Sequence, residues 1–492
     1  MVTEIFVRSA LRPSAQAGVG TLARRIAACG VLVATALLAP SRATAIGPVV
    51  DRVTLDNGIR LVMSQQRSVP IVAINCIVDG GARVDPPGKA GLASMTGSLL
   101  SEGTKGRTSE EISRLIDSLG GSFSTGASSD WILASAAVLS RDFATGVDLI
   151  ARSLREPTFP PEEVERRRKE TLGELEADED QPGIVAQRAF RKAVFGDAAY
   201  GSPVDGTPAT VSALTRDDIV EYHAREIQPG RTICAIVGDV PTAEMKETVQ
   251  RLLGDWKQSG TPLEAKVASA PPAKSVVVDR PVTQASIVLG QIGVARSNPD
   301  YFPILLMNYV LGGGGFNSRL MQTIRTKGGL AYSVSSHFEG NKLPGPFQVA
   351  LQTKVESAAE AIRLVREEIV RLHREGATAD ELQQAKDYLT GNFPLRLDST
   401  GKLAGFLGQV EYFGLGDDYI EKYAERVRAV TLDDVRRAAG KYLHPDALVQ
   451  VVVGPATKLA EQGIEDGSAR AGASQPASAG APQPASADAS GG

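Results

Sequence analysis

At 492 residues, with 42% hydrophobic and 22% charged side chains, the chain is too long for a single core and too ordinary in composition to be fibrous or low-complexity throughout. Its formal charge of −4 offers no basic field, which removes nucleic acid from the expected partners. A globular chain of two or more domains remains.

The first 45 residues stand apart. Arg24 and Arg25 precede an apolar run from Ile26 to Ala39, and Ala43-Thr44-Ala45 follows as a small-x-small triplet. The run is too short to span a bilayer comfortably and the triplet suits cleavage, so residues 1–45 read as a signal peptide. The chain is expected to be exported, periplasmic or secreted, without stable membrane insertion; an uncleaved anchor is the alternative. Cys29 would leave with this segment. Cys76 and Cys234 lie in β-branched runs and read as buried strand thiols, and the sequence leaves open whether they pair.

A repeat organises the rest of the chain. Thr215 to Gly238 can be laid on Thr431 to Gly454 in constant register: Asp217-Asp218 meets Asp433-Asp434, Pro229 meets Pro445, and Gly238 meets Gly454. Each copy reads as a capped helix, a proline turn and a β-branched strand. Upstream, Glu163-Val164 and Glu381-Leu382 align nearby, and Ile362, Val365, Ile369 and Leu372 mark a helical stripe. Two similar domains are expected, residues 46–256 and 275–463. Residues 257–274 would form the linker, and 464–492 a disordered Ser/Ala/Pro/Gly-rich tail. Alternating strands mixed with several long helices predict an α+β fold, each domain a mostly antiparallel or mixed sheet with helices on one face.

In the first domain a strand ending Asp79-Gly80-Gly81 continues through Ala82-Arg83-Val84-Asp85-Pro86-Pro87-Gly88-Lys89-Ala90 into Gly91-Leu92-Ala93, and Glu102-Gly103-Thr104 closes the segment. In the second, Arg325 to Val334 reads RTKGGLAYSV. Together with the tandem domains these stretches resemble the pitrilysin/insulinase family of zinc metallopeptidases, which includes the mitochondrial processing peptidase. The resemblance covers nearly the whole mature chain. It implies a zinc-binding His-x-x-Glu-His on the helix after Gly-Leu-Ala, two histidines one turn apart and a glutamate that activates water. Here those positions are Ser94, Gly97 and Ser98. Serine is a poor zinc ligand and glycine carries no base, so no metal and no catalytic residue is assigned to this chain. The third family ligand matches Glu174, whose plainer reading is a solvated acidic helix face. An acidic position of some members is Arg167 here, and the asparagine of the peptide-docking edge strand is Ser124.

Other chemistries find little support. His223, His337, His373 and His444 are scattered and fit structural roles, and Ser94 or Ser98 as a nucleophile would need a base the sequence does not place. The run Leu311-Gly312-Gly313-Gly314-Gly315 lacks the lysine of a phosphate-binding loop. By resemblance it borders a peptide chamber, and Arg325 and Tyr332 match the pair that reaches across it to hold a substrate carbonyl and stabilise an oxyanion. Alone, they would be a helix-end arginine and a strand aromatic.

The resemblance therefore implies a non-catalytic subunit, its partner a zinc-bearing homologous peptidase to which Arg325 and Tyr332 are supplied in trans. Zinc is expected in the partner, and a peptide is the expected substrate. A scaffold or peptide-binding subunit without proteolysis, like the respiratory-complex core proteins, is the rival reading.

Overall fold

Alternation of side chains along Ile71–Asp79 sets the frame of the first half. Val72, Ile74, Cys76 and Val78 face one way, while Ala73 and Ile77 face the other, and nearly all are buried. In this computed structural model, which describes residues 47–257, 263 and 265–467, that strand lies inside a six-stranded sheet. The segment read as a signal peptide and residues 468–492 of the tail lie outside the described residues.

The sheet runs Asp51–Thr54, Arg60–Gln65, Thr232–Gly238, Ile71–Asp79, Trp131–Leu139, Ser122–Ala127. Only Arg60–Gln65 and Thr232–Gly238 pair in parallel. The second half builds a five-stranded sheet in the order Lys274–Asp279, Val449–Gly454, Gln284–Ile292, Pro346–Lys354, Ala331–Phe338. It too has one parallel pair, its first. Strand for strand, the second sheet repeats the first without the edge strand Asp51–Thr54.

The aligned segments occupy equivalent places. Thr215 and Thr431 each cap a helix, Arg216–Glu226 and Leu432–Tyr442, by the same reciprocal bonds. The Asp218 and Asp434 amides each donate to the threonine hydroxyl at 3.1 Å, and each aspartate accepts from the threonine amide at 2.9 Å. Helices packed against one face of each sheet form the α+β arrangement expected from the sequence. The stripe Ile362, Val365, Ile369 and Leu372 is buried in the second of these cores.

The opposite faces are covered by exchange. Helix Thr400–Phe413, from the second half, lays Leu403, Ala404 and Leu407 on Val62, Ala73, Ile77 and Ala235 of the first sheet. Helix Pro182–Phe195, from the first half, lays Val185, Phe190 and Val194 against Val288, Val451 and Val453 of the second.

A buried polar cluster ties this exchange together. Arg83 pairs with Asp79, and its Nε lies 3.3 Å from Asp130 Oδ1. Tyr200 Oη donates to Asp130 Oδ1 at 2.7 Å and accepts from the Leu343 amide at 3.0 Å; the Lys342 amide donates to Asp130 Oδ2 at 2.8 Å. Tyr412 Oη, from the exchanged helix, lies 2.7 Å from Asp79 Oδ1 and 3.0 Å from the Asp130 carbonyl oxygen. Burial pushes the Asp130 carboxyl up, opposed by the Tyr200 hydroxyl, the Lys342 amide and the Arg83 charge.

Two boundaries differ from the sequence reading. Lys274, assigned to the linker, begins the strand Lys274–Asp279. The tail begins later than residue 464, because Ile464 is buried in the second core and the Gly467 amide donates to Ser275 O at 2.9 Å. An apolar side chain with a core to enter outweighs the composition of the residues after it.

Cys76 and Cys234 face each other across the antiparallel pair of strands and form a disulfide in the first core. The bond closes a loop with a sequence separation of 158 residues. Replacing both cysteines with alanine is expected to lower unfolding free energy by about 2–4 kcal/mol, read from denaturant midpoints, and dithiothreitol should lower the wild type similarly.

Candidate functional site

The helix that follows Gly-Leu-Ala, Leu92–Leu99, is fixed at its start by a carboxyl from the preceding loop. Asp85 Oδ2 accepts from the Gly91 amide at 3.0 Å and Oδ1 from the Ala93 amide at 2.9 Å, filling donors that a helix start leaves open. Burial nevertheless pushes the Asp85 carboxyl up to about 8, against these amides, which favour its charge.

On this helix Ser94 Oγ donates to Asp205 Oδ1 at 2.7 Å, and Ser98 Oγ turns back to Met95 O at 3.1 Å. Neither hydroxyl is bonded to a histidine: Ser94 meets a carboxylate and Ser98 a backbone carbonyl, so neither has the imidazole of a Ser–His pair. Gly97 is buried against the edge strand Ser122–Ala127. A Cβ at position 97 would lie 2.6 Å from Gly126 C, 2.8 Å from Gly126 O and 2.9 Å from Ala127 N. Such contacts are with backbone, which cannot rotate away. Beside them Thr125 Oγ1 donates to Ser101 Oγ at 3.2 Å. The seam between helix and edge strand is closed where the family's glutamate would stand.

The remaining family positions lie on the two elements packed against helix Leu92–Leu99: the helix Pro161–Glu179, through Thr171 Oγ1 and Met95 Sδ at 3.8 Å, and the edge strand Ser122–Ala127. Glu174 is exposed on the helix Pro161–Glu179, Arg167 lies 3.4 Å from Glu170 on the same helix, and Ser124 Oγ is 2.9 Å from Ser135 Oγ. His223 Nε2 is 2.9 Å from Leu154 O and His373 Nδ1 is 2.9 Å from Leu443 O, both bound to backbone. Among the described residues no three His, Cys, Asp or Glu side chains are grouped so as to hold a metal. Two serine hydroxyls, one engaged by an aspartate and one by its own helix, with a glycine between them, do not fit zinc.

The second half presents a different group. Arg325 lies on the π-helical segment Met321–Lys327, and Tyr332 on the edge strand Ala331–Phe338. Between Ala331 and Val334 that strand slips register against Pro346–Lys354, a bulge that contains Tyr332. Tyr332 is 82% exposed. Arg325 Cζ lies 4.7 Å from the Tyr332 ring centroid and 4.7 Å from that of Phe316, which stands just after the glycine run. The run lets this segment approach the edge strand: a Cβ on Gly312 would lie 2.5 Å from Ser336 N.

The structure thus brings Arg325 and Tyr332 together and adds Phe316, which the sequence reading passed over. Its only signal was its place directly after the glycines. Among the described residues no hydrogen bond, ion pair or ring contact joins this group to Ser94, Gly97 or Ser98.

Comparison with known proteins adds the relatives. Residues 60–208 match the family "Insulinase (Peptidase family M16)", and residues 213–389 match "Peptidase M16 inactive domain". The chain is similar to an uncharacterized zinc protease of Streptomyces coelicolor, 30% identical over 79% of this chain and 86% of that one. It is 24% identical to the uncharacterized zinc protease YmxG of Bacillus subtilis, over 82% of this chain and 98% of the relative. Among solved structures, a peptidase M16 inactive domain from Pseudomonas fluorescens superposes with a TM-score of 0.79 and 28% identity, covering 83% of this chain and 98% of that one.

Three sets of substitutions probe the first-half site. Alanine at position 97 should gain about 0.5–1 kcal/mol in helix propensity but lose about 1–3 kcal/mol to overpacking, so Gly97→Ala should be net destabilising in urea. The triple change Ser94→His, Gly97→Glu, Ser98→His should leave the chain without stoichiometric zinc by metal analysis. For Asp85, a native pKa near 8 against an ordinary 3.8 means the native state holds the extra proton. Its contribution is full below about pH 4 and is lost as pH rises through 8, so stability should fall across that window. Asp85→Asn should flatten that slope in denaturation series run from about pH 4.5 to about pH 8.5.

Proposed function

The chain belongs to the insulinase family of metallopeptidases, peptidase family M16, and from that premise we propose that it is a non-catalytic peptidase subunit working with a zinc-bearing homologue. The partner would hold the metal and supply the water-activating base. This chain would hold part of an extended peptide and present Arg325 and Tyr332 to the reacting carbonyl. Preorganised donors of this kind stabilise developing negative charge without touching a metal.

One observation carries the reading. The first half has serine, glycine and serine where the motif has two histidines and a glutamate, and its seam is closed at Gly97, while the second half has Arg325 against an outward-facing Tyr332. A chain that had lost all peptide chemistry would have no reason to leave an arginine and a tyrosine together at a sheet edge.

The disulfide supports export, since such bonds persist in oxidising compartments, and this agrees with the signal-like first 45 residues. No helix among the described residues is long and apolar enough to cross a membrane. The rival reading, a scaffold without a part in proteolysis, draws its support from the closed seam alone.

Reconstitution with a zinc-bearing homologue separates the two. Arg325→Ala with Tyr332→Phe should lower kcat of the pair by about a hundredfold or more while leaving assembly intact by gel filtration. Unchanged turnover would favour the scaffold. Stoichiometric zinc and peptide cleavage by the purified chain alone would overturn both.

A further inference from the structure

Tyr332 stands where a strand is least constrained. It lies within the register slip between Ala331 and Val334, on the outermost strand of the second sheet. A bulge re-aims a side chain, but an edge strand is paired on one side only, so the aim depends on what holds the two ends of the bulge.

Both ends are held by buried side chains. Before the bulge, Thr353, 3% exposed, donates from Oγ1 to Leu330 O at 2.6 Å, and the Leu330 amide donates to Ile324 O at 2.9 Å. Ile324 directly precedes Arg325, so Leu330 ties the edge strand both to its neighbour and to the segment that carries the arginine. After the bulge, Ser336, also 3% exposed, exchanges two bonds with Asn308. Asn308 Nδ2 donates to Ser336 O at 3.1 Å, and Ser336 Oγ donates to Asn308 Oδ1 at 2.8 Å. The exchange fixes the orientation of the amide, since only its nitrogen can face a carbonyl.

The glycine run is shaped around this second tie. A Cβ on Gly312 would lie 2.5 Å from Ser336 N and 2.6 Å from Ser336 Oγ, and one on Gly313 would lie 2.8 Å from Asn308 Nδ2. A side chain at either position would push the pair apart. Glycine inside a helical segment costs conformational entropy, so packing alone would be better served by larger residues. A fully bonded, buried pair contributes direction instead, fixing one registration of the edge strand on the π-helical segment Tyr309–Gly313.

We propose that Asn308 and Thr353 are positioning residues that clamp the two ends of the bulge and so aim the Tyr332 hydroxyl, with the adjacent Arg325, at the peptide carbonyl. This rests on the proposed function and adds to it two side chains that act only through the strand they hold.

The test uses the chain reconstituted with the zinc-bearing homologue. Thr353→Val removes the hydroxyl at nearly constant shape, and Asn308→Leu removes both amide bonds. Each should lower kcat about tenfold with KM changed less than about twofold, because misplaced donors are lost to the transition state and not to ground-state binding. Thr353→Ser keeps the hydroxyl and should restore kcat. The same two substitutions are then made in the Arg325→Ala, Tyr332→Phe background, where no donor is left to aim, and each should cost less than about twofold. Undiminished losses in that background, or unchanged kcat without it, would overturn the positioning role and leave the proposed function standing. If Arg325→Ala with Tyr332→Phe itself leaves kcat unchanged, the proposed function falls and the positioning role falls with it. Should Asn308→Leu fail to fold, the contrast between Thr353→Val and Thr353→Ser decides alone.

Discussion

Asp130 is nearly inaccessible to water, and four groups converge on it: the Arg83 guanidinium, the Tyr200 hydroxyl, the Lys342 amide and, at its carbonyl, the Tyr412 hydroxyl. Two of the four come from the first half of the chain and two from the second. Removing one partner of a buried charge typically costs about 3–5 kcal/mol, because the remaining charge is left without compensation. The cluster thus does for the seam between the halves what an apolar contact cannot, since it permits only one registration of helix Thr400–Phe413 on the first sheet. The Arg83 of the Gly-Gly-Ala-Arg stretch is explained by this role. It braces the loop that delivers Asp85 to the start of the next helix.

Much of the architecture was legible in the sequence because it is written locally. A threonine three residues before an aspartate, ahead of a helical run, marks a helix start locally, so the two capped helices could be aligned without coordinates. The stripe from Ile362 to Leu372 likewise states its own burial. The exchange of helices was not legible. Leu403 and Leu407 stand one helical turn apart, but nothing in their spacing says whose core they enter, and Tyr412 meets Asp79 across 333 residues. The Cys76 pairing was hidden for the same reason, since only the register of two distant strands puts Cys234 opposite it.

The candidate site divides along the same line. The absence of the His-x-x-Glu-His side chains could be read from residue types at Ser94, Gly97 and Ser98, since a side chain that is missing is missing in any fold. That position 97 is also sterically closed could not, because the obstacle is backbone at Gly126 and Ala127 on another strand. Arg325 and Tyr332 were found as a spaced pair. Phe316 became visible only when the glycine run was seen to fold its aromatic ring back toward the same guanidinium.

The exchanged helices also set an order of events during synthesis. The last strand of the first sheet ends at Gly238, yet the helix that covers its second face ends at Phe413. At the usual rate of elongation, that interval lasts on the order of ten to thirty seconds. Throughout it, Val62, Ala73, Ile77 and Ile233 lie on a face whose cover has not been made. A first half that folded before the second was complete would leave this apolar face bare, a sticky intermediate that is avoided if the segment stays unfolded until the whole chain is available. A gene cut at the linker would make that condition permanent.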